Sequence, residues 1–173
     1  MRSDPNGLLS FLEMHGAALH ALFTRLVLRA DVAEDLLQEL FLKLERADGF
    51  AHAANRRAYA FRTAIHLAFD WRRRQRPMEP LAQEPALAVA PPLDRLIDAE
   101  ELDQVLEAMT QLSDLGRQVV VLHYLQQQDY AAIAAQFGKT EHQVRGLCSK
   151  ALAQLRAILR PAASEPDKRG SRP

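Results

Sequence analysis

The residues best suited to chemistry in this sequence are arginines. Arg72–Arg74 end a stretch in which Arg62, His66 and Asp70 recur at four-residue steps, the spacing of one helix face. Guanidinium groups pair well with phosphates, and several in a row make nucleic-acid binding salt-dependent. The spacing therefore predicts a phosphate-binding helix. Basic residues at a helix C-terminus also complement the helix dipole, so arginine density alone favours neither explanation.

Groups that would build an enzyme site do not cluster in the sequence. No HExxH pattern, paired-carboxylate pocket or glycine-rich phosphate loop is present, and one cysteine, Cys148, cannot form a disulfide framework or a cysteine metal cluster. The histidines are scattered, at His15, His20, His52, His66, His123 and His142. We therefore expect no catalytic residue, metal or cofactor.

Composition is that of a folded soluble protein, but charge is unevenly distributed. The 173 residues include 22 basic and 22 acidic side chains, and 48% are hydrophobic. Residues 1–76 carry 12 basic and 9 acidic side chains, residues 77–115 carry 1 and 9, and residues 116–173 carry 9 and 4. Two basic blocks flanking an acidic one are typical of polyanion-binding units joined by a segment that does not bind. With no membrane-length apolar run and no signal-peptide pattern, a cytoplasmic location is expected.

Hydrophobic periodicity predicts an all-α fold of two small helical domains. The prolines gathered between Pro77 and Pro92 predict a linker over 77–98, which separates domains over 5–76 and 99–160; a polar tail, 161–173, is expected to be disordered. Helices are predicted over residues 8–29, 31–46, 55–75, 93–110, 114–125, 130–137 and 141–159.

The most specific local pattern is a helix-turn-helix near the C-terminus. Asp129 precedes a short helix, Gly138 allows a left-handed turn, and Thr140 with Gln143 forms a capping box for the next helix. Periodicity turns Val144, Cys148, Ala151, Leu152 and Leu155 inward. It leaves outward a set suited to the DNA major groove: Glu141, His142, Gln143, Arg145, Ser149 and Lys150. The alternative is a plain helical hairpin with a solvated basic face.

A second polar face lies on the predicted helix 31–46. It is formed by Asp31, Glu34, Asp35, Gln38 and Glu39. Phosphates would repel this face, so it predicts a protein partner with a positive surface, unless it is simply a solvated helix flank.

In order, these segments resemble an extracytoplasmic-function (ECF) sigma factor of the bacterial sigma-70 family, which has only regions 2 and 4. Residues 31–44 (DVAEDLLQELFLKL) resemble region 2.2, residues 61–74 resemble regions 2.3 and 2.4, and residues 111–119 with 129–152 resemble region 4.

The resemblance implies a non-catalytic specificity subunit that directs promoter-specific transcription initiation. The acidic face would bind the β′ clamp helices of core RNA polymerase, and region 4 would bind the β flap. The –10 element would contact Arg62, His66, Asp70, Arg72, Arg73 and Arg74, and the outward face of the recognition helix would contact the –35 element. An anti-sigma factor is the further implied partner.

The sequence departs from the family pattern at three places. Ile65-His66 replaces an Arg-Asn pair, Gly146-Leu147 replaces a Ser-Arg pair, and Ser113-Asp114 replaces a Pro-Pro turn. These departures predict an altered promoter preference. Two other functions stay open at this point: a stand-alone helix-turn-helix regulator, and a helical adaptor that binds only proteins.

Overall fold

The computed structural model describes residues 7–75 and 99–160. We call these the first and second modules. The predicted linker and tail lie outside the described residues. Within the described ranges the structure is helical, without strands. The helices are α1 Leu8–Val27, α2 Ala30–Arg46, α3 Asp48–Ala51, α4 Arg56–Arg74, α5 Ala99–Met109, α6 Asp114–Val120, α7 Tyr130–Phe137 and α8 Glu141–Leu159, with a π-helical turn, Val121–Leu125, after α6.

The first module is built on α1, which packs against both α2 and α4. The apolar stripes predicted for these helices are the ones buried, as Leu19, Leu40 and Ile65 illustrate. The small residues Ala64 and Ala68 are fully buried on α4, where they allow close helix packing. Burial of these faces, rather than helix propensity, supplies most of the stability of such a bundle.

The second module packs α8 against α5, α6 and α7. Its interior contains one charged side chain, Arg117, which is 1% exposed. Arg117 donates to the carbonyl oxygens of Met109 at 3.0 Å, Thr110 at 3.3 Å and Leu112 at 2.8 Å, and to the carboxylate of Asp114 at 2.9 Å. The guanidinium therefore satisfies the carbonyls where α5 ends and fixes the turn into α6.

Most predicted boundaries agree with the structure within a few residues. Helices α7 and α8 occupy the predicted ranges, and Asn55 caps α4 by accepting from the amide of Ala58. Two features differ. Asp48-Gly49 does not simply end a helix but begins the short α3, and the helix predicted over 114–125 changes to π-helical geometry at Val121. Residues 93–98 of the predicted fourth helix lie outside the described ranges.

None of the helices in the described part of the chain has the length and apolar character needed to span a bilayer. In the same residues, no group of three or more His, Cys, Asp and Glu side chains is arranged to hold a metal ion.

Candidate nucleic-acid interface

The acidic face of α2 is exposed along its length. Asp31, Glu34, Asp35, Gln38 and Glu39 all face solvent, while Val32, Ala33, Leu36 and Leu40 bury the opposite side. Arg29 pairs with Asp31 at 2.6 Å, and its hydrogen bond holds the pKa of that carboxyl below its ordinary value. The face is therefore a negative surface on an anchored helix, because the opposite side of α2 is buried in the core of the module.

The predicted helix-turn-helix is present, with the predicted turn chemistry. Gly138 has a φ of 60°, the left-handed conformation that glycine adopts without strain. Thr140 accepts from the amide of Gln143 at 3.2 Å, while the Gln143 side chain accepts from the amide of Thr140 at 3.0 Å. This reciprocal capping box fixes where α8 begins, and so fixes the side chains of its first turn.

The outer face of α8 is open to solvent. The side chains exposed there are Glu141, His142, Gln143, Arg145, Ser149 and Lys150. A shallow recess on the same face is lined by Lys139, Gln143, Gly146, Leu147 and Lys150. Cys148 and Val144 lie on the buried side, as predicted. The arrangement presents polar and basic groups on a capped helix, the form in which a recognition helix enters a major groove.

Arg145 is held in place by two neighbours. Its guanidinium pairs with Glu141 one turn earlier and lies 5.2 Å from the ring centroid of Tyr130 on α7. His123 stacks on Tyr130 with ring centroids 4.1 Å apart. A hydrogen bond with Cys148 raises the pKa of Tyr130 to about 12, which keeps its hydroxyl protonated. Arg145 therefore has a preferred orientation rather than a freely rotating head group.

On α4, the structure brings Arg62 and His66 together as predicted, but the second module covers them. Arg62 donates to the side-chain oxygen of Gln118 and to the carbonyl of Gln136, both at 3.3 Å, and lies 4.3 Å from the ring centroid of Phe137. His66 Nε2 contacts the amide of the same Gln118. This face of α4 is an interface between the modules.

The remaining α4 residues differ in exposure. Arg73 donates to Asp70 at 2.8 Å and to Asp114 of the second module at 3.2 Å. Arg74 is exposed. Arg72 is not placed to contact a phosphate, because its side chain is buried. It is 5% exposed and donates to the Leu26 carbonyl and, at 2.9 Å, to Asp103. Helical periodicity turns Arg72 away from the face shared by its neighbours and toward the core.

Burial between the modules shifts the pKa values of side chains at this interface. Desolvation lowers the pKa of His66 below its usual range, although Asp114 and Asp70 oppose the effect. Desolvation also lowers the pKa of Arg62, which still remains charged. Burial pushes the pKa of Asp114 upward, but hydrogen bonds from Arg117 and Arg73 outweigh it and hold that pKa below its ordinary value.

Sequence reasoning missed the residues of the second module that form this interface. Asp103, Gln118 and Phe137 carry no sequence signal of this contact, and Asp114 stands out only in the Ser113-Asp114 pair that replaces a Pro-Pro turn. No local signal identifies them, because their partners lie 31 to 75 positions away in the chain. The one available hint is the acidic charge of residues 77–115, since two of its carboxylates, Asp103 and Asp114, contact the basic helix α4.

Comparison with known families agrees with the order of these parts. A sigma-70 region 2 model matches residues 11–77, which include most of α1 and all of α2–α4, and a sigma-70 region 4 model matches residues 102–155, which include α6–α7. The chain belongs to the sigma-70 family. The resemblance to this family, drawn from the motifs, is confirmed.

A relative in Xanthomonas campestris pv. campestris, described as the probable RNA polymerase sigma factor RfaY, is 30% identical over 141 residues. The match covers 76% of this chain, which spans only 35% of the length of that relative.

Two solved structures share the fold. The sigma factor RpoE of Bartonella quintana, in complex with the anti-sigma factor NepR, has a TM-score of 0.53 at 23% identity, over 89% of this chain and 97% of that one. CnrH, in complex with the cytosolic domain of CnrY, has a TM-score of 0.52 at 22% identity, over 91% and 90%.

Proposed function

We propose that this protein is an alternative sigma factor, which binds core RNA polymerase and directs initiation at specific promoters. The observation that carries the proposal is the ordered pair of family matches, region 2 followed by region 4, on two modules whose exposed faces have opposite chemistry. The protein would act without chemistry of its own, as a specificity subunit in the cytoplasm.

The acidic face of α2 is proposed to bind the β′ clamp helices. Five polar side chains are exposed on it, and the buried side of α2 anchors the helix that carries them. Charge complementarity of this kind mainly speeds association and fixes register. Region 4 is proposed to bind the β flap through a surface that the family resemblance alone indicates.

The outer face of α8 is proposed to contact the –35 element. Arg145 and Lys150 supply positive charge, and the exposed polar side chains of the first turn can reach base edges. Gly146 leaves open space where the family usually has a side chain, since no atom lies within 4 Å of a Cβ added there. A different promoter preference follows from this gap.

The face of α4 is proposed to contact the –10 element through Arg62, His66, Asp70, Arg73 and Arg74. Arg72 would join this set only if its guanidinium were released both from the Leu26 carbonyl of its own module and from Asp103 of the second module. Two separate contacts on linked modules give bipartite recognition, since the second contact becomes intramolecular once the first has formed.

An anti-sigma factor is the further proposed partner. Both structural neighbours were solved as complexes, one with NepR and one with the cytosolic domain of CnrY. The likeness supports a protein partner for this chain. Capture from the chain's own organism would be needed to find the identity of that partner and its signal.

Transcription from a genomic fragment library tests the proposal. The purified chain is mixed with bacterial core polymerase, alongside an Asp31→Lys/Asp35→Lys variant. The matched control is Glu13→Lys/Glu101→Lys, which makes the same charge change at exposed acids outside the α2 face. We expect specific start sites with the wild type and the control, and none with the α2 variant.

Two outcomes would favour the other functions. Tight binding to duplex DNA by the chain alone, without initiation, would support a stand-alone regulator. If an Arg145→Glu/Lys150→Glu variant keeps the function of the wild type without polymerase, the result would support a protein-binding adaptor. Neither positive charge would then be needed for function.

A further inference from the structure

We propose that the recess on the outer face of α8 receives the 5-methyl group of a pyrimidine in the major groove, so that Gly146 and Leu147 determine specificity. The inference rests on the proposed function for the identity of the DNA, and it adds which chemical group of the –35 element the recess binds. Thymine carries this methyl group, and so does cytosine that has been methylated at the same carbon.

Gly146 lies in the middle of the surface that α8 presents to solvent. It follows His142 by about one helical turn, while Val144 and Cys148 are buried on the opposite side of the helix. Glycine is unfavourable inside a helix, and nothing within the chain requires it here, since no atom lies within 4 Å of a Cβ added to Gly146. The missing side chain instead lets another molecule approach the backbone closely.

The recess beside Gly146 has one apolar and one fixed polar wall. Leu147 is half-buried and packs against the core, which holds its side chain in place. Gln143 lines the recess too, and its side-chain oxygen accepts from the amide of Thr140 at 3.0 Å in the capping box. Both walls are therefore formed before DNA arrives.

The edge of the recess is positively charged. Lys139 and Lys150 line it and are exposed, and among the described residues that line it none is acidic. A lysine covers apolar surface with its methylene stem while its ammonium group stays in solvent or reaches a phosphate. An apolar interior with a basic edge complements a base that lies between two phosphate backbones.

The chemistry of the recess favours a methyl group over a donor or an acceptor. Gly146 has no side chain and Leu147 has no polar side-chain atom, whereas Arg145 and Ser149 on the same helix can bind polar base edges. Among the four bases, thymine alone presents an apolar group in the major groove, and proteins recognise it by apolar contact. The recess thus complements the polar contacts of α8 rather than repeating them.

The expected discrimination is modest but measurable. Burial of one methyl group contributes about 0.8 kcal/mol, which corresponds to about fourfold in binding or in initiation at limiting promoter. A bidentate contact between arginine and a base discriminates more strongly. The recess therefore adjusts the preference among –35 sequences that the polar side chains already accept.

Deoxyuridine substitution tests the inference, because uracil differs from thymine only in lacking the 5-methyl group. The full chain and core polymerase transcribe a promoter recovered from the genomic library, with each –35 thymine on either strand replaced in turn. We expect one position at which uracil lowers initiation about fourfold. A parallel series methylates each –35 cytosine, and a methylated cytosine in the recess should raise initiation by the same factor.

Two variants connect the methyl effect to the recess. Gly146→Ala fills the space with a methyl group of the protein, and Leu147→Asn replaces the apolar wall with a polar one of similar size. Both should remove the methyl effect. The matched control is Gly16→Ala in α1, where an added Cβ also meets no atom within 4 Å, and it should keep the wild-type difference. Circular dichroism establishes that each variant keeps its helices.

If neither series shows a methyl effect at any –35 position, the inference is wrong while the sigma function stands. A methyl effect that Gly146→Ala and Leu147→Asn leave unchanged would also overturn it, because the methyl group would then bind elsewhere. If no promoter is recovered, the proposed function fails, and the same series is run on duplexes that the chain alone selects from a random library. A chain that selects no duplex would overturn the inference as well.

Discussion

Arg73 donates a hydrogen bond to Asp114 at 3.2 Å, across 41 positions of sequence and between the two modules. The same carboxylate accepts from Arg117 at 2.9 Å, inside the second module. One acidic side chain therefore connects the interior of region 4 with the helix of region 2 that we propose contacts the –10 element. A substitution that removes the hydrogen bonds of Asp114 would therefore affect both modules.

Acid should separate the modules. In the closed arrangement, where the second module covers His66, desolvation lowers the pKa of this side chain, so the open chain, with its modules apart, binds a proton more readily than the closed one. The groups facing His66 are Arg62 and Asp70 on its own helix, and Asp114 and Arg117 on α6. The closed form is fully favoured above the ordinary histidine pKa, and its advantage declines as the pH falls below about 6.5.

Spin labels on the full-length chain at Ala18→Cys and Ala157→Cys, two exposed positions on different modules, give a distance that measures this dependence from about pH 7.5 to about pH 5. We expect longer distances toward the acidic end, and a His66→Gln variant that loses the change over this interval. Asp114, whose pKa is lowered, contributes stability above its unfolded pKa that is lost only in stronger acid. A wild-type distance that stays constant, or shortens, toward pH 5 would contradict the assignment to His66.

Removing Arg117 should destabilise the second module strongly. Arg117→Met keeps most of the apolar stem but leaves the buried carbonyls of Thr110 and Leu112 without their donor, while that of Met109 keeps the backbone amide of Leu112. Each unsatisfied carbonyl costs roughly 1–3 kcal/mol, so a loss of about 3 kcal/mol or more in the free energy of unfolding is expected. Urea unfolding followed by circular dichroism measures it.

Arg156→Met is the matched control, because Arg156 is exposed on α8. Its effect should stay within about 0.5 kcal/mol, the range of ordinary surface changes. If the two variants unfold alike, the hydrogen bonds of Arg117 are not what holds the end of α5 in place.

Local rules predicted the helices well because each is encoded by nearby residues. The Thr140–Gln143 capping box, the turn at Gly138 and the inward stripe containing Val144 and Cys148 all depend on spacings of a few positions. The exposed acidic face of α2 follows from the same periodicity. These features could be predicted because no distant part of the chain alters them.

The interface between the modules could not be predicted in the same way. Arg62 and His66 were expected to face solvent or DNA, since periodicity places them opposite the core of their own module. Their contacts with Gln118 and Phe137 depend on how two domains meet, which no local pattern encodes. Arg72 shows the reverse case. Its position in the helical repeat is enough to predict burial, but the run Arg72–Arg74 suggests the same DNA-contacting role for all three arginines.

The capping box should set both stability and –35 recognition. Thr140→Ala removes the acceptor for the Gln143 amide and should cost about 1 kcal/mol in the free energy of unfolding. Fraying of the first turn would also displace His142 and Arg145, so transcription from the recovered promoter should fall. Thr140→Ser keeps the hydroxyl and should retain both properties. Equal losses in the two variants would mean that the Thr140 methyl group, not the cap, matters.

Two glycines of the helix-turn-helix should respond in opposite directions to the same substitution. Gly146→Ala adds a methyl group where no atom lies within 4 Å, in the interior of an exposed helix, and should raise the free energy of unfolding by up to about 1 kcal/mol. Gly138→Ala meets equally open space, but its φ of 60° is strained for alanine, and about 1 kcal/mol or more should be lost.

Urea unfolding of both variants measures these differences, and each serves as the control for the other because the added atoms are the same. The promoter assay separates stability from recognition. Gly146 lies on the outer face of α8, so Gly146→Ala should shift the preference among –35 sequences, whereas Gly138→Ala should lower activity evenly on all of them. An unchanged preference in Gly146→Ala would indicate that the recess beside Leu147 does not meet DNA.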